Sequence, residues 1–179
     1  KGTGMLAKDG GAIKNAEEAT ITAGADSTAG TGMSVTGNGT ATNAGAINVG
    51  IAGSVGMSAT TAATETAILT NDGKIDVTLG TGISVAGTGT ANVTFGEKGT
   101  IDVKADQTGI SVAGTGTTTI TGGKITGTGT AVGIDVASGT LTMEGTEISV
   151  GEGGTGIKAT GNANITLKDG VILDLTNAN

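Results

Sequence analysis

The chain has 179 residues, 36 of them glycine, and its net charge of −7 comes from 16 acidic residues against nine lysines. It contains no Cys, His, Pro, Trp or Tyr, and Phe95 is its one aromatic residue. This composition excludes disulfides, Cys- or His-based nucleophiles and Cys-ligated metals, and an acidic chain with dispersed lysines argues against a nucleic acid partner.

A glycine followed by an apolar residue recurs through the whole chain. The copies stand about 25 residues apart, which is a typical length for one turn of a solenoid. They are Gly4-Met5, Gly32-Met33, Gly56-Met57, Gly82-Ile83, Gly109-Ile110, Gly133-Ile134 and Gly156-Ile157. The repeat predicts that residues 1–179 form a single array of stacked coils, and we expect this array to be a segment of a longer repetitive protein.

Residues 1–30 form the least regular copy. The middle part of the repeat is hard to place there, and Glu17-Glu18 is expected to lie in a bulging loop. Residues 31–179 are regular by comparison. We therefore expect one irregular coil followed by regular coils of the same solenoid.

The copy at residues 81–106 shows what each coil contains. Apolar and polar residues alternate in Ile83–Val85, Ala91–Phe95 and Ile101–Val103, and Gly-rich segments separate these stretches. Alternation with a period of two, broken by Gly and Asn or Asp, is typical of short half-buried strands joined by turns. Each coil is therefore predicted to hold three strands and three corners.

Equivalent positions of successive copies carry apolar residues, which are expected to form columns in the interior. The first strand contributes Met5, Met33, Met57, Ile83, Ile110, Ile134 and Ile157, and then Ala7, Val35, Ala59, Val85, Val112, Val136 and Ala159. The third strand contributes Ile21, Ile47, Ile75, Ile101, Ile125, Ile148 and Leu173, and then Ala23, Val49, Val77, Val103, Gly127, Val150 and Leu175. The second strand is the least regular, and its equivalents are assigned as Leu69, Phe95, Ile120, Met143 and Leu167.

These columns predict an all-β fold, a parallel β-helix of about seven coils with three short strands each. Coils stacked at about 4.8 Å would give a rod roughly 34 Å long. A right-handed winding is expected, because parallel crossover connections strongly prefer that hand.

Asp76 and Asp102 occupy equivalent outward positions on adjacent coils. Paired carboxylates can serve as acid–base machinery or hold a cation. The competing interpretation is a solvated face on which Lys74 and Lys104 offset the negative charge. We favour the solvated face.

Other glycine-rich motifs have structural interpretations. Gly151–Gly156 matches the spacing of a dinucleotide-binding loop, but a strand is predicted to follow it where that site needs a helix. Gly133-Ile-Asp135 resembles one turn of a calcium-binding roll, but Lys158 replaces the acid in the next copy and the nine-residue period is missing. The sequence therefore predicts no cofactor, no metal and no enzymatic activity.

Threonine-rich segments raise the alternative of ice binding, which uses ranks of Thr on a solenoid. They are expected to lie at bends, where they would form no flat rank. The segments are Gly87-Thr-Gly-Thr90, Gly114-Thr-Gly-Thr117 and Gly127-Thr-Gly-Thr130.

The repeated segment Thr-Gly-Ile-Ser-Val-Ala-Gly-Thr-Gly-Thr at 81–90 and 108–117 resembles the passenger region of bacterial autotransporters, as do Gly73–Val77, Gly99–Val103 and Gly123–Thr126. These are type V secretion proteins, which include the large adhesins of fusobacteria. The resemblance implies a β-helical stalk that is exported through the outer membrane of a Gram-negative bacterium and displayed on the cell surface. It carries over no site residue, because such passengers share no common site motif.

Two functions of different classes are left open. The first is an adhesin passenger that attaches to host cells or other bacteria through a surface protein or glycan; the second is a structural spacer or filament. Coils at the ends of the stack are expected to expose strand edges through which molecules could stack end to end. No apolar run approaches the roughly 20 residues of a membrane-spanning helix, and we expect none in this segment.

Overall fold

The computed structural model describes residues 2–175, and within them it contains strands and turns without a helix. The first ten strands are β1 Gly2–Lys8, β2 Ala12–Asn15, β3 Thr20–Ala23, β4 Gly30–Thr36, β5 Thr40–Asn43, β6 Ala46–Thr61, β7 Thr66–Asn71, β8 Lys74–Gly87, β9 Thr90–Phe95 and β10 Thr100–Val103. The others are β11 Thr108–Gly114, β12 Thr117–Thr121, β13 Lys124–Gly127, β14 Val132–Val136, β15 Gly139–Glu144, β16 Glu147–Val150, β17 Thr155–Ala159, β18 Ala163–Leu167 and β19 Ile172–Asp174. No helix capable of crossing a membrane is present in this part of the chain.

The strands stack as a parallel β-solenoid of about seven turns, as the sequence predicted. Each strand pairs in parallel with the equivalent strand one coil away, so the sheets run along the stack. The second strands of the coils form a seven-stranded sheet in the order β18-β15-β12-β9-β7-β5-β2. The first and third strands together form a twelve-stranded sheet.

The prediction of three separate strands in every coil is wrong at two places. β6 and β8 each run from the third strand of one coil through the corner into the first strand of the next. Between Val49 and Val55 the pairing of these two strands shifts register, so the chain turns the corner with an irregularity in place of a loop. The two walls that meet at this corner are therefore hydrogen-bonded into a single sheet.

The apolar columns of the first and third strands are confirmed by the register of the sheets. Met33 pairs with Met57 and Met57 with Ile83, while Ile47 pairs with Ile75 and Ile75 with Ile101. The members of these columns in the middle coils are almost completely buried and form one continuous core. Close packing of Ile, Val, Met and Ala thus takes the place of the large aromatic side chains that most cores use.

The assignment of the second strand needs a correction at Phe95. Leu69 pairs with Val93, and Val93 with Ile120, so the apolar column passes through Val93. Phe95 instead pairs with Asn71. The assignment of this one coil was therefore wrong by one step of the alternation, since Val93 and Phe95 both lie on the inward side of the strand.

The column that Phe95 joins is an asparagine ladder made of Asn15, Asn43 and Asn71. The Nδ2 of Asn15 donates to the Oδ1 of Asn43 at 2.8 Å, and the Nδ2 of Asn43 donates to the Oδ1 of Asn71 at 2.8 Å. Asn71 in turn donates to the carbonyl oxygen of Thr100 at 3.1 Å. Asn43 and Asn71 are completely buried, and hydrogen bonds along the stack satisfy amides that would otherwise be costly to bury.

The glycine that opens each repeat lies where adjacent coils come closest. A Cβ atom at Gly56, Gly82 or Gly109 would stand 2.6 Å from the carbonyl oxygen of the equivalent glycine in the next coil. Such an approach admits no side chain, so the repeated glycine is a requirement of the coil spacing. Glu17 and Glu18 lie in the turn between β2 and β3. This turn has four residues, whereas the equivalent turn between β5 and β6 has two, and the longer turn agrees with the expected bulge.

Candidate functional site

The paired carboxylates Asp76 and Asp102 do lie side by side on the outer face of the third strand. Their residues pair directly between β8 and β10. The Nζ of Lys74 lies 2.8 Å from the Oδ1 of Asp76 and 2.9 Å from the Oδ2 of Asp102. The Oγ1 of Thr126, one coil further on, donates to the Oδ1 of Asp102. The ammonium group thus occupies the position between the two acids that a bound cation would take.

The contacts of this cluster change the pKa values of two of its members. Hydrogen bonds to Asp76 and Asp102 raise the pKa of Lys74 above its ordinary value, against a smaller opposing effect of burial. Partial burial on its own raises the pKa of Asp102, but hydrogen bonds from Thr126 and Lys74 outweigh it, so the net pKa is lowered. Both shifts keep the groups charged, which is typical of an ion pair and opposite to what a general acid needs.

Replacing Lys74 with methionine is expected to lower the thermal midpoint by a few degrees at pH 7. The two carboxylates would then face each other without a cation, but all three groups are well exposed and the effect is at most about 1 kcal/mol. The pKa of Asp102 is lower in the folded chain than its ordinary value of 3.8. The ion pair therefore stabilises the wild type fully above pH 3.8, and this stabilisation is lost as the pH falls through the lowered pKa of the folded state. The thermal midpoint of the Lys74→Met variant should therefore fall less than that of the wild type between pH 7 and pH 3. Thermal melts over this pH range measure the two changes.

Lys168→Met is the matched control for this experiment, because Lys168 is exposed and makes no ion pair within residues 2–175. An equal loss in the control would show that the effect is one of net charge. A chelator should leave the wild-type melt unchanged. A melt lowered by chelator would contradict the assignment of Lys74 as the cation of this site.

The calcium-roll motif is also occupied by a lysine. Asp135 pairs with Lys158 between β14 and β17, and the Nζ of Lys158 lies 3.3 Å from the Oδ2 of Asp135. Of the Gly151–Gly156 segment, residues 151–154 form the turn between β16 and β17 and the last two belong to β17, so a strand and no helix follows, as expected for a corner. Within residues 2–175 no three acidic side chains come together in a group that could hold a metal ion.

An open cleft of about 480 Å³ lies at the corner between the second and third strands of the first coils. Its charged lining residues are Glu17, Glu18, Asp72, Lys74 and Lys98, and the Nζ of Lys98 lies 3.7 Å from the Oε1 of Glu17. Charges of both signs line this cleft, and much of the remaining lining consists of Ala and Gly. The cleft resembles a solvated corner more than a built site.

The outer face of the seven-stranded sheet is unusually uniform. Threonines occupy most of its outward positions on β5, β7, β9, β12, β15 and β18, and the inward residues between them are mostly buried apolar side chains. We call this surface the threonine face, and it consists of Thr40, Thr42, Thr66, Thr70, Thr90, Thr94, Thr117, Thr119, Thr121, Thr140, Thr142 and Thr166.

The residues of the threonine face lie, together with a few other outward residues, in three columns that cross the coils in register. These columns are Thr66, Thr90, Thr117, Thr140 and Asn164; Ala12, Thr40, Ile68, Asn92, Thr119, Thr142 and Thr166; and Lys14, Thr42, Thr70, Thr94, Thr121 and Glu144. The pairings that define them run without a register shift. The expectation that the Thr-rich segments lie at bends is therefore wrong for Thr90 and Thr117, which begin β9 and β12, whereas Thr128 and Thr130 do lie in a turn.

The hydroxyl groups of the threonine face are not engaged by the protein. Within residues 2–175 none of the twelve makes a hydrogen bond to another protein group, and none of the twelve residues is buried. The twelve-stranded sheet differs, since the hydroxyls of Ser34 and Ser58 bond to each other at 2.9 Å and Thr126 bonds to Asp102. The threonine face is thus the surface on which an ordered set of hydroxyls is available to an external ligand.

Comparison with known proteins identifies no relative of this chain: no family model, no curated protein and no solved structure matches it. Its functional assignment therefore depends on the geometry described above and on the resemblance of its repeats.

Proposed function

We propose that the chain is a stalk segment of a surface-displayed adhesin, the passenger of a type V autotransporter exported through the outer membrane of a Gram-negative bacterium. The observation that carries this proposal is the continuous stack, in which each strand pairs only with its equivalents in the neighbouring coils. A chain of this kind can fold coil by coil as it emerges from a pore, since each coil templates the next. The repeats that resemble autotransporter passengers, at 81–90 and 108–117, lie within this stack.

Attachment would occur through a lateral wall, because the walls make up most of the surface of a long stack. A net charge of −7 keeps such rods soluble and opposes their sideways association. The absence of cysteine means that no disulfide can form before export and block threading. The ligand class we propose is a protein or glycan on a host or bacterial surface.

The proposal predicts saturable binding of the fluorescently labelled 179-residue chain to host epithelial cells or to other bacteria. Two variants test the lateral wall: Thr94→Lys with Thr119→Lys on the threonine face, and Ser84→Lys with Ser111→Lys on the outer face of the first strand. We expect one pair to reduce binding at least tenfold and the other to leave it unchanged. Flow cytometry measures the binding, and circular dichroism confirms that both variants fold.

Absence of saturable binding to any cell type would contradict the adhesin and favour the spacer or filament. That second candidate has its own supporting observation: the last described coil exposes Leu167 and Leu173, whose equivalents in the preceding coil, Met143 and Ile148, are fully buried. Sedimentation of the same samples distinguishes the two, because a filament-forming solenoid would grow in mass with concentration.

A further inference from the structure

The threonine face repeats its hydroxyl groups in two directions. Along the stack, equivalent residues such as Thr94 and Thr121 follow each other at the spacing of paired strands, about 4.8 Å. Along one strand, outward residues such as Thr117, Thr119 and Thr121 follow each other two residues apart, about 6.6 Å. The face is therefore a two-dimensional lattice, and a ligand that matches it over many points must itself be a lattice.

Tetrahedral water has nearly the same repeat distances. Hydrogen bonds of about 2.8 Å between water oxygens place second neighbours about 4.5 Å apart, and the puckered layers of ice repeat at about 7.3 Å. Across four coils the mismatch along the stack adds up to about 1 Å, and across three columns the mismatch along the strand adds up to about 1.4 Å. Both accumulated mismatches are smaller than the length of one hydrogen bond between water molecules, about 2.8 Å.

The chemistry of the face also suits a lattice of water. Each threonine presents a methyl group and a hydroxyl from a β-branched carbon whose rotation is restricted, so the lattice is stiff. A charged group would order water in its own shell, but the columns carry no charge between Lys14 at one end and Glu144 at the other. The neutrality of the surface stands in contrast to the outer face of the third strand, where Lys74 and Asp102 pair.

We propose that the threonine face binds the surface of an ice crystal. The unengaged hydroxyls would take lattice positions, and the methyl groups between them would fill the spaces of the water network. Binding needs many threonines at once, because each hydroxyl contributes little beyond the water contacts that it gives up. This activity is independent of whether the chain is displayed on a cell.

Freezing hysteresis, the gap between the melting and freezing temperatures of a seed crystal, tests the proposal with the 179-residue chain. The wild type is expected to produce a gap that grows with protein concentration and to change the shape of the crystal. The double variant Thr94→Lys with Thr119→Lys places two charges in the centre of the face and should reduce the gap at least tenfold. The control, Ser84→Lys with Ser111→Lys, adds the same charge to another wall and should keep the wild-type gap.

Three outcomes would overturn the proposal: no gap for the wild type up to millimolar protein, an equal gap in the threonine-face variant, or an equal loss in the control. Thermal melts of all three proteins show whether a loss comes from unfolding. If the charged double variant fails to fold, Thr94→Val with Thr119→Val replaces it. The valine variant keeps the shape and removes two hydroxyls, and it should still reduce the gap by several-fold.

Discussion

Asn43→Asp is expected to lower the thermal midpoint of unfolding by roughly 10 °C at pH 7, the loss of about 3 kcal/mol. Asn43 is completely buried between Asn15 and Asn71, and its Nδ2 donates to the Oδ1 of Asn71 at 2.8 Å. A carboxylate of the same shape would turn this donor into an acceptor, so two oxygens would face each other in the core and one would carry a buried charge. Thermal melts followed by circular dichroism measure the loss.

The loss should also depend on pH, because burial raises the pKa of an introduced carboxyl group. The charged carboxylate of Asp at position 43 destabilises the folded chain at pH 7. This loss of stability should shrink as the pH falls below the raised pKa, because the protonated acid can again donate a hydrogen bond to Asn71. The control is Asn92→Asp on the outer face of the same sheet, which is partly exposed and should change the midpoint by about 2 °C or less. Equal losses in the two variants would contradict a structural role for the asparagine ladder.

Gly82→Ala is expected to destabilise the solenoid by about 1–3 kcal/mol through overpacking. The new methyl carbon would stand 2.6 Å from the carbonyl oxygen of Gly109 and 2.9 Å from the Cγ2 of Ile101. The carbonyl belongs to the backbone of the next coil and Ile101 is fully buried, so relief requires the two coils to move apart. Chemical denaturation measures the change in the midpoint.

Gly50→Ala is the matched control for this substitution. No atom lies within 4 Å of a Cβ built at Gly50, and its backbone does not need positive φ. Removing a glycine at such a position should be neutral or stabilise by a few tenths of a kcal/mol, because the unfolded chain loses conformational freedom. If Gly82→Ala were as mild as Gly50→Ala, the close approach of the coils would not be what requires the repeated glycine.

The sequence predicted the first and third strands well, because their inward residues are apolar in nearly every copy. Ile47, Ile75 and Ile101 alternate with polar residues, so the period of two is visible and the register follows from it. The strands of these two walls and the number of coils were therefore predictable. The continuity of β6 and β8 through the corner was not, since no local pattern distinguishes a hydrogen-bonded corner from a turn.

The prediction of the second strand was partly wrong for a physical reason. Its inward positions hold Asn15, Asn43 and Asn71 in the first coils and Thr118 in a later one, so polar residues lie on both sides of the strand. The hydrogen bonds between the asparagines of the ladder join residues 28 positions apart, which local alternation does not reveal. With the inward pattern hidden, Thr90 and Thr117 were assigned to corners, although they begin β9 and β12.

The candidate site became visible only when the register was known. Thr70, Thr94 and Thr121 are unremarkable in a Thr-rich chain, and their alignment depends on the register that pairs Thr70 with Thr94 and Thr94 with Thr121. The Asp76–Asp102 pair, by contrast, was found from the sequence because both acids follow the same apolar residue of the third strand. What the sequence left undecided there was the position of the Lys74 ammonium.

The asparagine ladder has a consequence for how such a protein can change its length. Coils that present identical columns on both sides could be duplicated or lost as whole units, because any one fits on any other. The ladder ends where Phe95 replaces asparagine above Asn71, so the first three coils match each other and meet the fourth at a single junction. Gain or loss of a whole coil before that junction therefore preserves the row of amides.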